Sequence, residues 1–264
     1  KEIDLLVVNL YPFAETVRAG ADYAQCIENI DIGGPAMIRA AAKNFKYVAT
    51  LVDIEDYEGL VNELKMNNGC TSYSFRQKLS QNAFSLSAYY DAMISNWMLD
   101  NITGVKPRRF SISAALSQDL RYGENPHQNA SFFLDEYLQG GIGASNQIQG
   151  KKLSYNNIND TDAALELVNE FPQNDGAAAV IVKHANPCGV GVANSLVEAY
   201  RSAFSCDKTS AFGGIVALNR IIDEESAREI IKVFTEVVIA PDITEGARKI
   251  FSSKSNLRLL ITKK

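Results

Sequence analysis

Both histidines of the chain lie in short polar sequences that are expected to form turns and whose neighbours can bind anions or exchange protons. His127 ends the sequence Arg-Tyr-Gly-Glu-Asn-Pro-His, and His184 lies in Lys-His-Ala-Asn-Pro-Cys-Gly, directly after an apolar run. At the end of a buried strand, the ammonium of Lys183 and desolvation would both favour a neutral imidazole, which can accept a proton. His184 is therefore a candidate general base, and a histidine that only hydrogen-bonds its loop is an equal alternative.

The sequence around His184 also resembles part of the zinc-deaminase signature, which needs His-x-Glu and Pro-Cys-x-x-Cys. Asn186 stands where the glutamate is required, and Gly191 stands where the second cysteine is required. The other cysteines are widely spaced, so we expect reduced thiols, no disulfide framework and no metal. A metal-dependent deaminase is kept as a third interpretation, which a measurement of metal content would test.

Two other short sequences offer weaker signals for binding. Arg121 and Tyr122 combine a permanent cation with an aromatic hydroxyl, which suits a phosphate or a flat heterocycle, although such pairs are common on surfaces. Phe212, Gly213 and Gly214 would let the backbone approach a ligand closely, although they also suit a flexible turn before a strand. By residue type alone, the flexible turn is the simpler interpretation.

In the first half, Tyr11, Asp31 and Lys43 place a phenol, a carboxylate and an amine near the ends of successive predicted elements. Open α/β sheets bind their ligands at such ends. Asp31 could instead cap the following helix, and Lys43 could be solvated near the helix C-terminus, where the dipole favours a cation. Residue chemistry alone favours these structural interpretations.

Hydrophobic patterning predicts the elements that would position these groups. An apolar strand at 3–10, expected to be buried on both faces, precedes a glycine-proline turn, a helix at 36–43 and a strand at 47–52. This βαβ-like order favours a parallel sheet covered by helices. Further on, the apolar spacing predicts a long amphipathic helix from 75, with a core stripe of Leu79, Ala83, Leu86, Tyr90, Ile94 and Trp97.

The segment 101–109 carries glycine, proline and clustered basic residues, which predicts a linker and a domain boundary near residue 112. The second half again alternates between strand and helix patterns, so both halves are expected to be α/β. The predicted strands are 177–182, 214–218, 237–240 and 257–261, and the predicted helices are 195–204, with a Ser195/Glu198 capping box, 224–235 and 244–251.

Composition limits the class of protein. With 264 residues, 46% hydrophobic and 22% charged, the chain can fill one large or two ordinary cores. A net charge of −5 gives no electrostatic footprint for nucleic acid. The sequence has no apolar stretch long enough for a membrane span and no secretory signal at its start. We therefore expect a cytoplasmic protein with small anionic ligands and no membrane partner.

Five motifs, taken in order along the chain, closely resemble one enzyme family. The family is the bifunctional phosphoribosylaminoimidazolecarboxamide (AICAR) formyltransferase and inosine monophosphate (IMP) cyclohydrolase of purine biosynthesis. Five ordered motifs are far more specific than any one of them, and the resemblance spans essentially the whole chain. The motifs are NLYPF at 9–13, IDIGG at 30–34, RAAAKN at 39–44, RYGENPH at 121–127 and KHANPCG at 183–189.

The resemblance implies a fold for each half. Residues 1–112 would be the C-terminal part of an IMP cyclohydrolase domain, a parallel α/β sheet similar to methylglyoxal synthase. Residues 113–264 would be the N-terminal part of a cytidine-deaminase-like AICAR transformylase domain. Family members have further portions at both ends, so an internal fragment with incomplete sites is expected. Transformylase sites of the family form between two subunits, which implies a homodimer.

The resemblance also implies roles for residues in ring closure, the step that converts formylated AICAR (FAICAR) to IMP with loss of water. Lys43 would shuttle protons with assistance from Tyr11 and Asp31. Val8, Asn9 and the backbone of Asp31 and Ile32 would hold the nucleotide.

For transfer of the formyl group of 10-formyltetrahydrofolate to AICAR, the resemblance implies that His184 takes a proton from the attacking amine. Lys183 would stabilise the developing oxyanion. The residues lining the nucleotide site would be Arg121, Tyr122, His127, Phe212, Gly213 and Glu236. The last of these is aspartate in some family members. The alternative from another class is a truncated, non-catalytic module that binds a nucleotide without turnover.

Overall fold

The computed structural model describes residues 2–135 and 140–262, which form two compact units. The first unit runs to Ala115, and the second contains Leu116–Leu134 and the described residues from 140 onward. Both units combine helices with strands, so the α/β class predicted for the two halves is confirmed. Within these ranges, none of the helices is long and apolar enough to cross a membrane.

The first unit contains a short parallel sheet in which Leu6 of one strand lies opposite Thr50 of the other. The two strands are separated in sequence by helices, so the predicted βαβ arrangement is confirmed. The elements are β1 (Leu5–Val7), α1 (Phe13–Arg18), α2 (Tyr23–Glu28), α3 (Gly33–Lys43), β2 (Ala49–Leu51), α4 (Asp56–Met66) and α5 (Tyr73–Asp100).

The expectation that the first strand is buried on both faces is wrong. Leu5 and Val7 of β1 are 41% and 45% exposed, whereas every residue of β2 is buried. Within the described residues β1 pairs only with β2, so its apolar side chains are covered less completely. An apolar run shows which side chains could be buried, but it does not show whether a neighbouring element covers them.

The helix α5 carries the core of the first unit, as its spacing predicts. The Ser72 hydroxyl caps its first turn by accepting the amide of Phe75 at 3.2 Å. The ring of Phe13 packs edge-on against Trp97 with centroids 5.3 Å apart, a geometry that aromatic pairs favour. Most of the predicted stripe is buried, namely Leu79, Ala83, Tyr90, Ile94 and Trp97, and Leu86 is half-buried against the same core.

The second unit contains a six-stranded mixed sheet in the order β5-β10-β9-β8-β6-β7 and a separate pair, β3-β4. β6 is antiparallel to both of its neighbours, whereas β8, β9 and β10 are mutually parallel. The strands are β3 (Ala115–Leu120), β4 (Ala130–Leu134), β5 (Asn146–Gln149), β6 (Ala177–Lys183), β7 (Asn186–Ala193), β8 (Gly214–Leu218), β9 (Thr235–Ala240) and β10 (Arg258–Ile261). The helices are α6 (Tyr155–Asn169), α7 (Leu196–Cys206), α8 (Glu224–Ile230) and α9 (Glu245–Phe251).

Alternate residues of β6 divide the second core into two layers. Ala177, Ala179 and Ile181 face a cluster that includes Phe251 and other side chains of α7, α8 and α9. The residues between them face a second cluster built on α6. This period-2 alternation explains why β6 reads as one uninterrupted apolar run, since both of its faces are covered.

Two sequence expectations in this unit need correction. The segment after Lys183 was expected to be a polar turn, but Asn186–Ala193 forms the edge strand β7. Asn, Pro and Gly at the start of this segment favour turns, and an edge strand tolerates them because one side of its backbone needs no partner. The helix expected at 224–235 ends at Ile230, and Thr235 already belongs to β9. The predicted Ser195 cap is present, with the Ser195 hydroxyl accepting the Glu198 amide at 3.4 Å.

Candidate functional site

In the first unit, polar groups gather where β1 and β2 end. The Val8 amide extends the ladder by donating to the Leu51 carbonyl at 3.0 Å. The Asn9 side-chain amide donates to the Val52 carbonyl at 3.4 Å, and its oxygen accepts the Tyr57 hydroxyl at 3.1 Å. Asn9 is therefore held at the carboxyl ends of two parallel strands, where open α/β sheets bind ligands.

Asp31 lies at the start of α3 and is fixed by two hydrogen bonds. Its carboxylate accepts the Gly34 amide at 2.7 Å, and its own amide donates to the Tyr90 hydroxyl of α5 at 2.9 Å. Burial raises the pKa of the Tyr90 phenol, which keeps this hydroxyl protonated. A Cβ at Gly34 would lie 2.6 Å from the Asp31 carboxylate and 2.7 Å from Leu10, so a larger residue there would displace one of these side chains. The helix-capping interpretation of Asp31 is thus confirmed, and its binding role stays a prediction.

Lys43 lies at the opposite end of α3 from Asp31. The helix has 11 residues, which corresponds to about 16 Å of axial length. Lys43 is exposed and forms no hydrogen bond or ion pair within the described ranges. Tyr11 and Ile32 are 56% and 78% exposed, and both are adjacent in sequence to residues at the Asp31 end. The structure therefore places Leu10, the residue between Asn9 and Tyr11, beside the Asp31 end of α3. Lys43 lies at the other end of that helix.

In the second unit, the sheet topology brings three distant segments to one end. β6 finishes at Lys183 as β8 begins, with Val182 paired to Ile215. β8 and β9 then begin side by side, with Gly214 paired to Thr235. The site residues predicted at Lys183, His184, Phe212, Gly213 and Glu236 consequently lie at this one end of the sheet, which we call the Lys183 end.

Lys183 and Asn186 close a two-residue hairpin between β6 and β7. Both loop residues have positive φ, 54° at His184 and 56° at Ala185. Positive φ at both central positions is typical of a type I′ loop, in which Asn-Gly, Asp-Gly and Gly-Gly are the favoured sequences. The exposed side chain of His184 is thereby held at the end of a buried strand.

The carboxylate of Asp160 on α6 holds this loop. One oxygen accepts the His184 amide at 3.2 Å, and the other accepts the Ala185 amide at 2.9 Å. The Asn186 side-chain amide adds a bond to the His184 carbonyl at 2.7 Å. The two loop amides and one loop carbonyl are therefore satisfied by side chains rather than left to solvent.

Lys183 connects the hairpin to the segment before β8. Its ammonium donates to the Phe212 carbonyl at 2.9 Å. Hydrogen bonds from Ser210 lower the pKa of the nearby Asp207 carboxyl, and the charge of Lys183 lowers it further. Burial and then Asp207 raise the pKa of the Cys188 thiol, with Lys183 opposing, so Cys188 is a thiol at neutral pH. The cation of Lys183 thus stands among exposed groups at the Lys183 end.

The segment before β8 also offers flat apolar surface. Gly213 has φ of 76°, and its amide donates to the Phe234 carbonyl at 2.7 Å. The ring centroids of Phe212 and Phe234 lie 5.3 Å apart beside this bond. Both residues are exposed, Phe212 to 58% and Phe234 to 52%. Exposed rings beside a cation can receive a planar, charged ligand.

Glu236 is already paired within the chain. Arg258 donates to its carboxylate at 2.7 Å, and the Asn157 side-chain amide lies 3.5 Å from the same oxygen. Asn157 belongs to a capping box with Ser154 at the start of α6, and Asp160 follows three residues later on the same face. The first turns of α6 therefore support both Glu236 and the His184 loop.

Arg121, Tyr122 and His127 lie in the connection between β3 and β4. The Arg121 guanidinium donates to the Tyr122 hydroxyl at 2.9 Å and stands 4.7 Å from the centre of its ring. The Gly123 amide closes the connection by donating to the Gln128 carbonyl at 2.7 Å. Within the described part of the chain, no hydrogen bond joins these residues to the Lys183 end. Nor is any group of three or more His, Cys, Asp or Glu side chains there placed to hold a metal ion.

Comparisons with known proteins agree with the motif resemblance. The family described as AICARFT/IMPCHase bienzyme matches residues 41–264. The bifunctional purine biosynthesis protein PurH of Dinoroseobacter shibae is 61% identical over 260 residues, which cover 98% of this chain and 49% of that protein. The PurH protein of Ruegeria sp. strain TM1040 is 59% identical and is covered to the same 49%.

The chain spans about half the length of the curated relatives that it matches. A solved structure titled "Crystal structure of ForH" shares 36% identity over 36% of this chain and 50% of its own, with a TM-score of 0.31, a superposition too poor to inform the fold. The match to the family, together with the identity and coverage of the relatives, establishes which family this is. The chain belongs to the AICARFT/IMPCHase bienzyme family.

Proposed function

We propose that the protein carrying this chain transfers the formyl group of 10-formyltetrahydrofolate to AICAR and then closes the product, FAICAR, to IMP. The observation that carries the first step is the convergence of Lys183, His184, the Phe212–Gly213 backbone and Glu236 at one end of the second sheet. The family membership supplies the reaction class, purine biosynthesis by a bifunctional transferase and hydrolase.

In the proposed formyl transfer, the AICAR amine forms a bond to the formyl carbon and the bond from that carbon to the folate nitrogen breaks. The imidazole of His184 takes the amine proton, and the ammonium of Lys183 stabilises the charge that develops on the formyl oxygen. The folate nitrogen takes up a proton as it leaves, so that tetrahydrofolate is the second product. Phe212 and Gly213 would line the heterocycle. Arg121, Tyr122, His127 and Glu236 would contact the rest of the nucleotide.

In the proposed ring closure, Asn9, Val8 and the backbone at Asp31 and Ile32 hold FAICAR at the ends of β1 and β2. Tyr11 and Asp31 assist the proton transfers that accompany loss of water. Lys43 is kept as the proton shuttle on its motif alone, because about 16 Å of helix separates it from the Asp31 end. No metal is proposed for either step.

The proposal extends to context and assembly. A homodimer is proposed because the sites of the family form between subunits.

A cytoplasmic location is supported by the four free cysteines, which reducing compartments maintain. Residues 1–112 are assigned to the cyclohydrolase domain, with a methylglyoxal-synthase-like sheet, and 113–264 to the transformylase domain, with a cytidine-deaminase-like fold.

Formyl transfer is tested on the full-length gene product by mixing it with AICAR and 10-formyltetrahydrofolate and separating products by chromatography. We expect His184→Ala to slow FAICAR formation by about 100-fold or more, and Lys249→Ala, an exposed lysine on α9, to have no effect. A folded wild-type protein that binds AICAR without forming FAICAR would instead support the non-catalytic nucleotide-binding module.

A further inference from the structure

The turn that presents His184 has a conformation that Ala185 does not favour. His184 and Ala185 both adopt positive φ, yet neither is glycine or asparagine. Positive φ brings a Cβ close to the backbone, so residues with side chains leave this region unless surrounding contacts hold them. The sequence of the loop therefore does not by itself specify the orientation of His184.

The carboxylate of Asp160 supplies the missing restraint. Its two oxygens take one amide each, from His184 at 3.2 Å and from Ala185 at 2.9 Å. In a two-residue hairpin these two amides do not pair across the ladder, so both point away from the sheet and need another acceptor. A carboxylate that accepts successive amides fixes the peptide planes of the loop as well as its position.

Asp160 can act as a restraint because its helix is itself fixed. The capping box of Ser154 and Asn157 sets the first turn of α6. The inner face of the helix is buried against the sheet, through Thr161, Ala164, Leu165 and Val168. The hairpin is thus tied to a packed helix more than 20 residues earlier in the chain rather than to another loop.

We propose that Asp160 is a positioning residue for formyl transfer, which holds the His184–Ala185 turn so that the Lys183 ammonium and the His184 imidazole face the same reacting atoms. This inference rests on the proposed function. Asp160 itself touches neither substrate nor reacting atoms in the proposal and acts only through the two loop amides.

Steady-state kinetics of the full-length gene product test this role. We expect Asp160→Ala to lower kcat for FAICAR formation by about 100-fold, because small misplacements of reacting groups cost that much, with KM for AICAR changed by less than about threefold. Asp160→Asn keeps one acceptor oxygen and should be intermediate. Asp162→Ala removes a carboxylate two positions along α6 and should leave kcat unchanged.

A compensating substitution separates positioning from substrate contact. Glycine adopts positive φ without strain, so Ala185→Gly should favour the turn without help from Asp160. We expect Ala185→Gly alone to be nearly as active as wild type and Asp160→Ala/Ala185→Gly to recover about tenfold of the lost kcat. A fully active Asp160→Ala, or a double variant with no recovery, would overturn the positioning role.

Amide hydrogen exchange measured by mass spectrometry gives a readout independent of activity. The segment 183–187 should exchange faster in Asp160→Ala than in wild type or Asp162→Ala, because two amides lose their acceptor. Unchanged exchange would overturn the proposal. If wild type forms no FAICAR, the proposed function fails, and exchange still decides whether Asp160 holds the turn.

Discussion

Arg258 of β10 donates to the carboxylate of Glu236 on β9 at 2.7 Å, and the arginine is the more deeply buried partner, with its side chain 13% exposed against 35% for the glutamate. The two strands run parallel and begin together at the Lys183 end. A carboxylate proposed to contact nucleotide is therefore also the counter-ion of an arginine whose side chain is largely covered. Its removal is expected to affect stability as well as binding.

Glu236→Ala should destabilise the protein by about 1–3 kcal/mol, since it removes the only carboxylate paired with Arg258 among the described residues and leaves that cation the Lys152 carbonyl at 3.2 Å. We expect a destabilisation in the lower part of this range, because solvent screens the partly exposed Glu236 carboxylate. Urea unfolding measures the loss. Arg258→Met in the same background should recover part of it, and strictly additive losses would show that the pair makes no net contribution.

Gly34→Ala should destabilise the first unit by about 1–3 kcal/mol because the added methyl overlaps Asp31 and Leu10. Gly33→Ala is the matched control, since a Cβ there meets nothing within 4 Å. Helix propensity predicts that the control is neutral or slightly stabilising. Thermal unfolding of both variants tests the account, and equal midpoints would contradict the close approach at Gly34.

Tyr90→Phe should cost about 1 kcal/mol because the Asp31 amide loses its acceptor while the ring remains. Ring closure of FAICAR should slow in the same variant if Asp31 assists it. Tyr23→Phe is the control, because its ring also stacks on the core at Trp97 and its hydroxyl makes no hydrogen bond within the described residues. Equal stability of the two variants in urea would contradict the role given to the Tyr90 hydroxyl.

Stability should fall steeply in alkali because burial, and then the charge of Glu229, raise the pKa of Tyr200 to about 12. The unfolded phenol ionises near pH 10, so the stabilisation is complete below about pH 10 and is lost as pH rises towards 12. The loss should reach about 2–3 kcal/mol. Tyr200→Phe should lack this component in urea unfolding at pH 9 and 11.5, and parallel losses in the two proteins would contradict it.

The sequence predicts those elements whose pattern is decided locally. β6 and β8 are apolar runs bounded by turns, and α5 repeats its apolar residues for many turns, so each was placed correctly. β7 was missed because its first four residues favour a turn, and its pairing with β6 depends on the whole sheet.

The residues of the candidate sites likewise fall into those that the sequence predicts and those that it misses. Residues within motifs were found because their neighbours resemble a family. Their supports were missed because the contacts are distant in sequence, with Asp160 lying 24 residues before His184 and Tyr90 lying 59 residues after Asp31. Arg258, 22 residues beyond Glu236, is found only when the strands are paired. Local residue types cannot indicate such partners.

The most direct test of the central claim, two separate chemical sites in one protein, is a paired assay of the full-length gene product. FAICAR formation and FAICAR closure to IMP are each measured for Lys183→Ala and Asp31→Asn. We predict that Lys183→Ala loses formyl transfer by about 100-fold and retains closure, and that Asp31→Asn shows the reverse. Loss of both steps in either soluble, folded variant, or retention of both in the two variants, would contradict the account.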